Sequence, residues 1–295
     1  MKMEVYDCDS LDLFWNLISP IGDIFNNPYA RFLYRGQSDS TWSLSPLVYR
    51  KDVVEKYKLG MLSVLADHPG QTVFEYGLLS SFIHHCDLRG LPIPNDSMEF
   101  REYFSFQNIM RMNAEENRTW PQDRVLPLMA LAQHHGVPTR LLDWSSNAMI
   151  ASYFAAAGVV KQKRPEKKED IAAPKENLAV FGFTVNPQWN DSSYRHVHVP
   201  GSTSPNLAAQ GGSFVLVSNS GRRGETFTFG VKLEDNLIGS DRLIKLTLPI
   251  QFAGDLLLRC HQFGVSAASV FPGYDGVAKA VMERSLAESF REILR

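Results

Sequence analysis

Leu11, Phe14, Trp15, Leu17, Ile18 and Ile21 recur at three- and four-residue intervals behind Ser10, a pattern that predicts an opening helix over residues 10–25 with a serine cap. The spacing then changes. Phe32-Leu33-Tyr34-Arg35 suits a short strand over residues 31–35, and Ser38-Asp39-Ser40 turns the chain toward a second extended stretch, Trp42 to Tyr49, interrupted by Pro46. From about residue 51 to 135 the apolar positions are helically spaced again, over Val53 to Leu65, Thr72 to Cys86, Met98 to Met112 and Val125 to His135. So long a helical block behind the first strands predicts a helical insertion at about 51–135.

Gly136-Val137-Pro138 ends the last of these helices, and Thr139 to Trp144 reads as a strand with Leu141 and Leu142 inside. Ser145-Ser146-Asn147 caps a helix whose Ala148, Ala151, Tyr153, Phe154 and Ala155 form a small-residue face able to pack on a sheet. Lys161 to Asn177 is charged without apolar period and predicts a solvated loop. Leu178 to Val185 is the clearest strand. Further strands are expected at His196–Val199, Phe214–Val217, Phe227–Leu233 and Leu243–Leu248, with turns at Gly201–Pro205 and Gly221–Gly224. A helix over Gln251–Phe263, the stretch Val265–Val270 and the turn Phe271-Pro272-Gly273-Tyr274-Asp275-Gly276 lead to a closing helix. The sum is an α+β fold, a mainly antiparallel central sheet flanked by helices, as a single domain over residues 1–295.

Composition narrows the partners. A chain of 295 residues, 44% hydrophobic, can bury a sizeable core. Its formal net charge of -2 gives no general attraction to nucleic acid or an anionic membrane, so contact with RNA or DNA needs a local basic patch. Cys8, Cys86 and Cys260 are far apart and in no Cys-x-x-Cys spacing, which predicts reduced, buried thiols. With no apolar signal region and no run of about 18 apolar residues, a cytoplasmic protein without a membrane partner is expected. Phosphate-loop, Gly-x-Ser-x-Gly and His-Glu-x-x-His signatures are absent, and His196 with His198 has no third ligand at metal spacing, so no metal is expected.

Arg35 is the most informative position. An arginine leaving a strand at its open end presents a planar, permanently charged fork suited to phosphate, and Gly36 beside it lets another molecule approach the backbone. A partly buried arginine paired with a carboxylate fits the same letters. Two further stretches accompany it, Gln133-His134-His135-Gly136-Val137-Pro138-Thr139-Arg140-Leu141-Leu142-Asp143-Trp144-Ser145 and Phe271 to Gly276. Together with Tyr34-Arg35-Gly36-Gln37 and the run Trp42-Ser43-Leu44 to Tyr49-Arg50, they resemble the bacterial FRG domain, named for its Phe-Arg-Gly motif, over about residues 30–285.

The order of parts also resembles the arginine-containing class of the ADP-ribosyltransferase superfamily. That resemblance implies that Tyr34, Arg35, Gly36 and Gln37 hold the phosphate or ribose of NAD, that Trp144, Ser145 and Tyr153 shelter the nicotinamide, and that Gln210 serves as the third motif on the ribose. Splitting the nicotinamide–ribose bond builds positive charge on the ribose beside a negative diphosphate, so an arginine fork, an aromatic wall and a polar group on the ribose are the needed parts. An amide is no general base, which brings in Asp143 as the first carboxylate candidate, with Asp275 and Glu225 behind it.

Structural alternatives stand beside these roles. Gln210-Gly211-Gly212 fits a bulge before a strand, His134, a candidate to set an imidazole beside the ligand, also fits a residue bonding the last carbonyls of its helix, Asp143 fits a helix cap, and Arg140 is expected to brace the turn or meet Asp275. Asn206 stands where the FRG pattern has an arginine before Gln210. The function implied is an NAD-dependent mono-ADP-ribosyltransferase, a toxin of a toxin–antitoxin or phage-defence system. It would act on a nucleic-acid or protein acceptor, with a cognate antitoxin or chaperone among the implied partners. A non-catalytic nucleotide or nucleic-acid binding module and an NAD glycohydrolase are the alternatives.

Overall fold

The computed structural model describes residues 3–26, 31–58, 70–112, 116, 119–162, 176–185, 194–201, 204–218, 228–237 and 242–294. Within these, strands β1 (Glu4–Asp7), β2 (Arg31–Gln37), β3 (Leu141–Ser145), β4 (Asn177–Val185), β5 (Tyr194–Val197), β6 (Gly212–Val217) and β7 (Leu243–Pro249) form one sheet in the order β1-β7-β4-β2-β3-β6-β5. All neighbours are antiparallel except β1 and β7. The helices are α1 (Leu11–Ile18), α2 (Lys51–Tyr57), α3 (Gly70–Asp87), α4 (Met98–Tyr103), α5 (Phe106–Arg111), α6 (Leu126–His134), α7 (Ala148–Gln162), α8 (Pro205–Ala209), α9 (Ala253–Gln262), α10 (Ala267–Val270) and α11 (Tyr274–Leu294). The expected mainly antiparallel α+β architecture is present, and no described helix is long and apolar enough to cross a membrane.

Strand alternation assigns the core. On one face Phe32, Tyr34, Leu178, Val180, Ile244 and Leu246 pack under α1, α7, α9 and α11. Farther along that face Leu141, Val197, Phe214 and Leu216 pack into α3 to α6, so the helical insertion shares its core with the sheet. The opposite face, with Leu33, Trp144, Phe181, Phe183, Val215 and Val217, is covered by residues 44–54 and Leu233. Two helical layers thus sit side by side on one face, and the seam between them runs over β3.

Arg140 ties the insertion to the sheet. Its Nε and Nη2 donate to Glu75 Oε2 and Oε1 on α3 at 2.7 and 2.8 Å, and its Nη1 donates to Trp120 O at 2.6 Å. Gln71 Nε2 (2.8 Å) and Trp120 Nε1 (3.3 Å) complete the carboxylate's shell. Both charged side chains are almost solvent-free, at 0% and 2% exposure. The expected contact of Arg140 with Asp275 is therefore replaced, since Asp275 lies exposed in the first turn of α11.

Several local expectations are corrected. Trp42 to Tyr49 is irregular, with one 3-10 turn at Leu47–Tyr49: Pro46 donates no hydrogen bond, and Leu44 N is taken by the Glu234 carboxylate at 3.1 Å. The described part of Phe227–Leu233 forms no strand, and Leu233 begins another 3-10 turn. Met98–Met112 divides into α4 and α5 at Ser105, whose Oγ accepts from Asn108 N at 3.3 Å. The opening helix keeps its Ser10 cap but ends at Ile18, and β1 is an element the apolar pattern was too short to show. Residues 59–65 of the second predicted helix, most of the Lys161–Asn177 loop, the Gly221–Gly224 turn and Glu225 lie outside the described residues. All three cysteines are buried and unpaired, and burial pushes the Cys8 thiol up to about 11 and Cys260 up to about 12.

Candidate functional site

β2 pairs with β4 along seven residues and β3 with β6 along five, yet β2 and β3 share the single pair Tyr34↔Ser145. Past that pair the two strands part. Arg35, Gly36 and Gln37 form one lip of the opening; Leu142, Asp143 and Trp144 form the other. Parted strands leave backbone polar groups facing each other without a ladder, and these need other partners. Arg35 supplies one, donating from Nη1 to Asp143 O at 2.6 Å with Asp143 Oδ2 3.8 Å away. The opening continues into a cleft of about 780 Å³ between the two helical layers.

Gly36 is needed for a reason the motif does not reveal. A Cβ there would meet Ala151 O at 1.9 Å and Ala155 N at 2.8 Å, so the missing side chain admits the backbone of α7 rather than a ligand. The expected close approach at Gly36 is therefore made by the protein itself.

Asp143 is aimed by its own motif. Its side chain, 66% exposed, accepts from Gln133 Nε2 at 2.7 Å, and Thr139 Oγ1 in turn donates to Gln133 Oε1. His134, at the end of α6, lies across the cleft, with Nε2 3.5 Å from Ser204 Oγ. Partial burial first, and His135 second, lower its pKa against the pull of Asp143, which favours the neutral ring. Ser145 is a joint: its Oγ donates to Gln210 O at 2.7 Å and accepts from Asn147 N at 3.0 Å. The helix cap expected of Asp143 is made instead by Asn147, whose Oδ1 accepts from Met149 N at 2.8 Å. Gln210 donates from Nε2 to Val270 O at 3.1 Å, which leaves Oε1 as its acceptor beside the cleft.

Tyr34, Arg35, Gly36, Gln37, His134, Asp143, Trp144, Ser145 and Gln210 all border this one space. Tyr153 does not. Its ring is buried in α7's packing and its hydroxyl donates to Glu283 at 2.9 Å, so its assignment to the ligand is corrected. Trp144 borders the cleft as part of its lip, but its indole points through the sheet onto Phe183, with ring centroids 5.7 Å apart, and is 3% exposed. It is no aromatic wall. That wall is supplied by Phe154 and Phe271, edge to face at 6.0 Å, and by the exposed Trp42. Arg50 and Lys279, whose Nζ sits 4.4 Å from the centre of the Phe271 ring, add positive charge, and Asn206 is at the rim.

Asp143 is the sole carboxylate among the described residues bordering the cleft, against Arg35, Arg50 and Lys279. In a chain of net charge -2 the cleft is thus a local concentration of positive charge. Burial pulls the Arg35 pKa down, Asp143 opposes this, and the nearby Arg50 adds to it; an arginine nonetheless keeps its charge. Arg35 Nε, Gln37 Oε1 and Ser45 Oγ, all of residues bordering this cleft, are buried without a hydrogen-bond partner among the described residues. Buried polar atoms without a partner are uncommon in folded proteins, and these are open to water or a bound group.

Residues 30–164 match the FRG domain family, a stretch that holds the Tyr34-Arg35-Gly36 and Gln133–Ser145 motifs and ends before Gln210 and the Phe271–Gly276 turn. No curated protein and no solved structure matches the chain.

Proposed function

We propose that the cleft binds NAD and that the protein transfers ADP-ribose from it to an acceptor. The observation that carries this reading is the parted β2–β3 pair with the Arg35 guanidinium set across it. A permanent cation with an uncommitted Nε stands there between a carboxylate and a second arginine. Arg35 and Arg50 bind the diphosphate, and Phe154 with Phe271 encloses the flat nicotinamide. Gln210 Oε1 accepts from a ribose hydroxyl. A cleft of about 780 Å³ is within the range that small-molecule ligands occupy.

The bond between nicotinamide and ribose C1′ breaks with its electron pair leaving on nicotinamide. The cationic ribose is stabilised by the Asp143 carboxylate that Gln133 holds, and an acceptor O–H or N–H adds at C1′ and releases its proton. The products are free nicotinamide, ADP-ribosyl acceptor and one proton. Label from NAD carrying radioactive adenylate should appear on protein or nucleic acid of a cell extract with wild-type protein and not with Arg35→Ala. Equal labelling by both, or none by either, rejects the reading; conversion of NAD to free ADP-ribose alone would instead identify water as the acceptor. As a growth-arresting toxin, the wild type should block colony formation on induction and Arg35→Ala should not.

A further inference from the structure

A second, smaller pocket of about 260 Å³ lies on the other side of the Tyr34↔Ser145 pair. β3 stops at Ser145, opposite Gly212 where β6 begins, while β2 runs on to Arg31 along the space beyond them, so the sheet has a notch at this end. Arg31 on β2 stands on one wall, and His196 and Ser213 from β5 and β6, with His198 just beyond β5, stand on the other. The two spaces share a partition: Ser145 and Gln210 border the large cleft, and the next residues, Ser146 and Gly211, border the notch.

The notch has an unbalanced charge. Among the described residues Arg31, which is exposed, makes no ion pair, and no carboxylate borders the space. Burial first, then the nearby Arg31 and His198, lower the pKa of His196, which favours its neutral ring. His196 Nε2 lies 2.6 Å from Ser213 Oγ. Whichever of the two donates in that bond, a neutral pair retains one further donor, the ring Nδ1–H or the serine O–H.

We propose that this notch binds a phosphodiester of a single-stranded nucleic-acid acceptor, through Arg31, His198 and the His196–Ser213 pair. One permanent cation surrounded by hydrogen-bond donors matches a singly charged diester, whereas a doubly charged phosphomonoester asks for a second fixed cation. The glycines at the partition, Gly211 and Gly212, leave the rim without long side chains between the notch and the cleft. A strand anchored here lies beside the Gln210 end of the cleft. That the anchored strand is the acceptor rests on the transfer reading; the phosphate site itself does not.

The test needs no NAD. Binding of a fluorescent single-stranded oligonucleotide of about ten nucleotides is measured against salt for the full chain and for Arg31→Ala, His198→Ala and Arg35→Ala, with folding checked by circular dichroism. Arg31→Ala should weaken binding about tenfold and lower the slope of log K against log salt by about 0.7, the contribution of one phosphate contact in a single strand. His198→Ala should weaken it less, and Arg35→Ala should leave it within about twofold. Replacing the linkages by neutral methylphosphonates should weaken the wild type more than Arg31→Ala. No binding, an unchanged slope in Arg31→Ala, loss of binding in Arg35→Ala alone, or tighter binding of a phosphoserine peptide than of the oligonucleotide would each overturn the proposal. Transfer activity with the notch inert would sink this inference alone, and oligonucleotide binding without turnover of NAD would sink only the transfer reading.

Discussion

The surroundings of Arg140 and of Arg35 differ in how completely each guanidinium is used. Arg140 spends all three nitrogens on fixed partners, two on one carboxylate and one on a carbonyl, with no solvent exposure. Arg35 makes one bond, to a backbone oxygen, keeps its carboxylate at 3.8 Å and leaves Nε without a partner. Both arginines belong to motifs, and both stand near a carboxylate. Full satisfaction marks the first as a brace for the fold; incomplete satisfaction at an open lip leaves the second with unused donors, which is what the proposed NAD site requires of it.

Arg140→Ala should break the comparison on the stability side. Leaving Glu75 buried and unpaired is expected to cost about 3–5 kcal/mol in urea unfolding, while Arg140→Met with Glu75→Leu should recover most of that loss. Gly36→Ala comes next. Its methyl has no room against the α7 backbone, and a loss of about 3 kcal/mol is expected, the upper end for overpacking, with ligand affinity falling only as the fold loosens.

Arg35→Ala should invert that pattern, with stability changed by less than about 1 kcal/mol but NAD affinity, measured calorimetrically, down about 10- to 100-fold. Gln133→Ala sharpens the contrast within the cleft. With Asp143 no longer held, kcat/KM should drop about fivefold, roughly 1 kcal/mol, while NAD affinity stays within about twofold. A Gln133→Ala variant that loses affinity and not rate would show that Asp143 serves binding.

The motif letters disclosed most of the lip residues because charged, polar and glycine residues at strand ends carry their own chemistry. They disclosed direction less well. In Leu141-Leu142-Asp143-Trp144-Ser145, an exposed Asp143 fixes Trp144 on the opposite face by alternation, so the inward turn of the indole was legible once Asp143 was placed outside. α7 offered no such guide. Buried on most of its circumference, it has no polar side to orient it, and neighbouring Tyr153 and Phe154 exchange the roles expected of them. Trp42 and Arg50 stood in a run that carries the FRG resemblance, but their place at the cleft was beyond reach for another reason. They sit in an aperiodic segment held by residues near position 234, through the Leu44 bonds to Glu234 and Leu233, and nothing local announces such contacts.

β1 lies in register with β7 as a parallel edge, Glu4 opposite Ile244, and is clamped there by Arg242 on Glu4 and Thr247 on Asp7. Of the described strands, the earliest in the chain must therefore wait for the latest before it has a neighbour. Synthesis at about 5–20 residues per second makes that an interval of tens of seconds, during which the chain carries an unsealed margin. Sheet closure is consequently a late, long-range event, and shortening the chain before residue 249 would strip two adjoining strands from the sheet, not one.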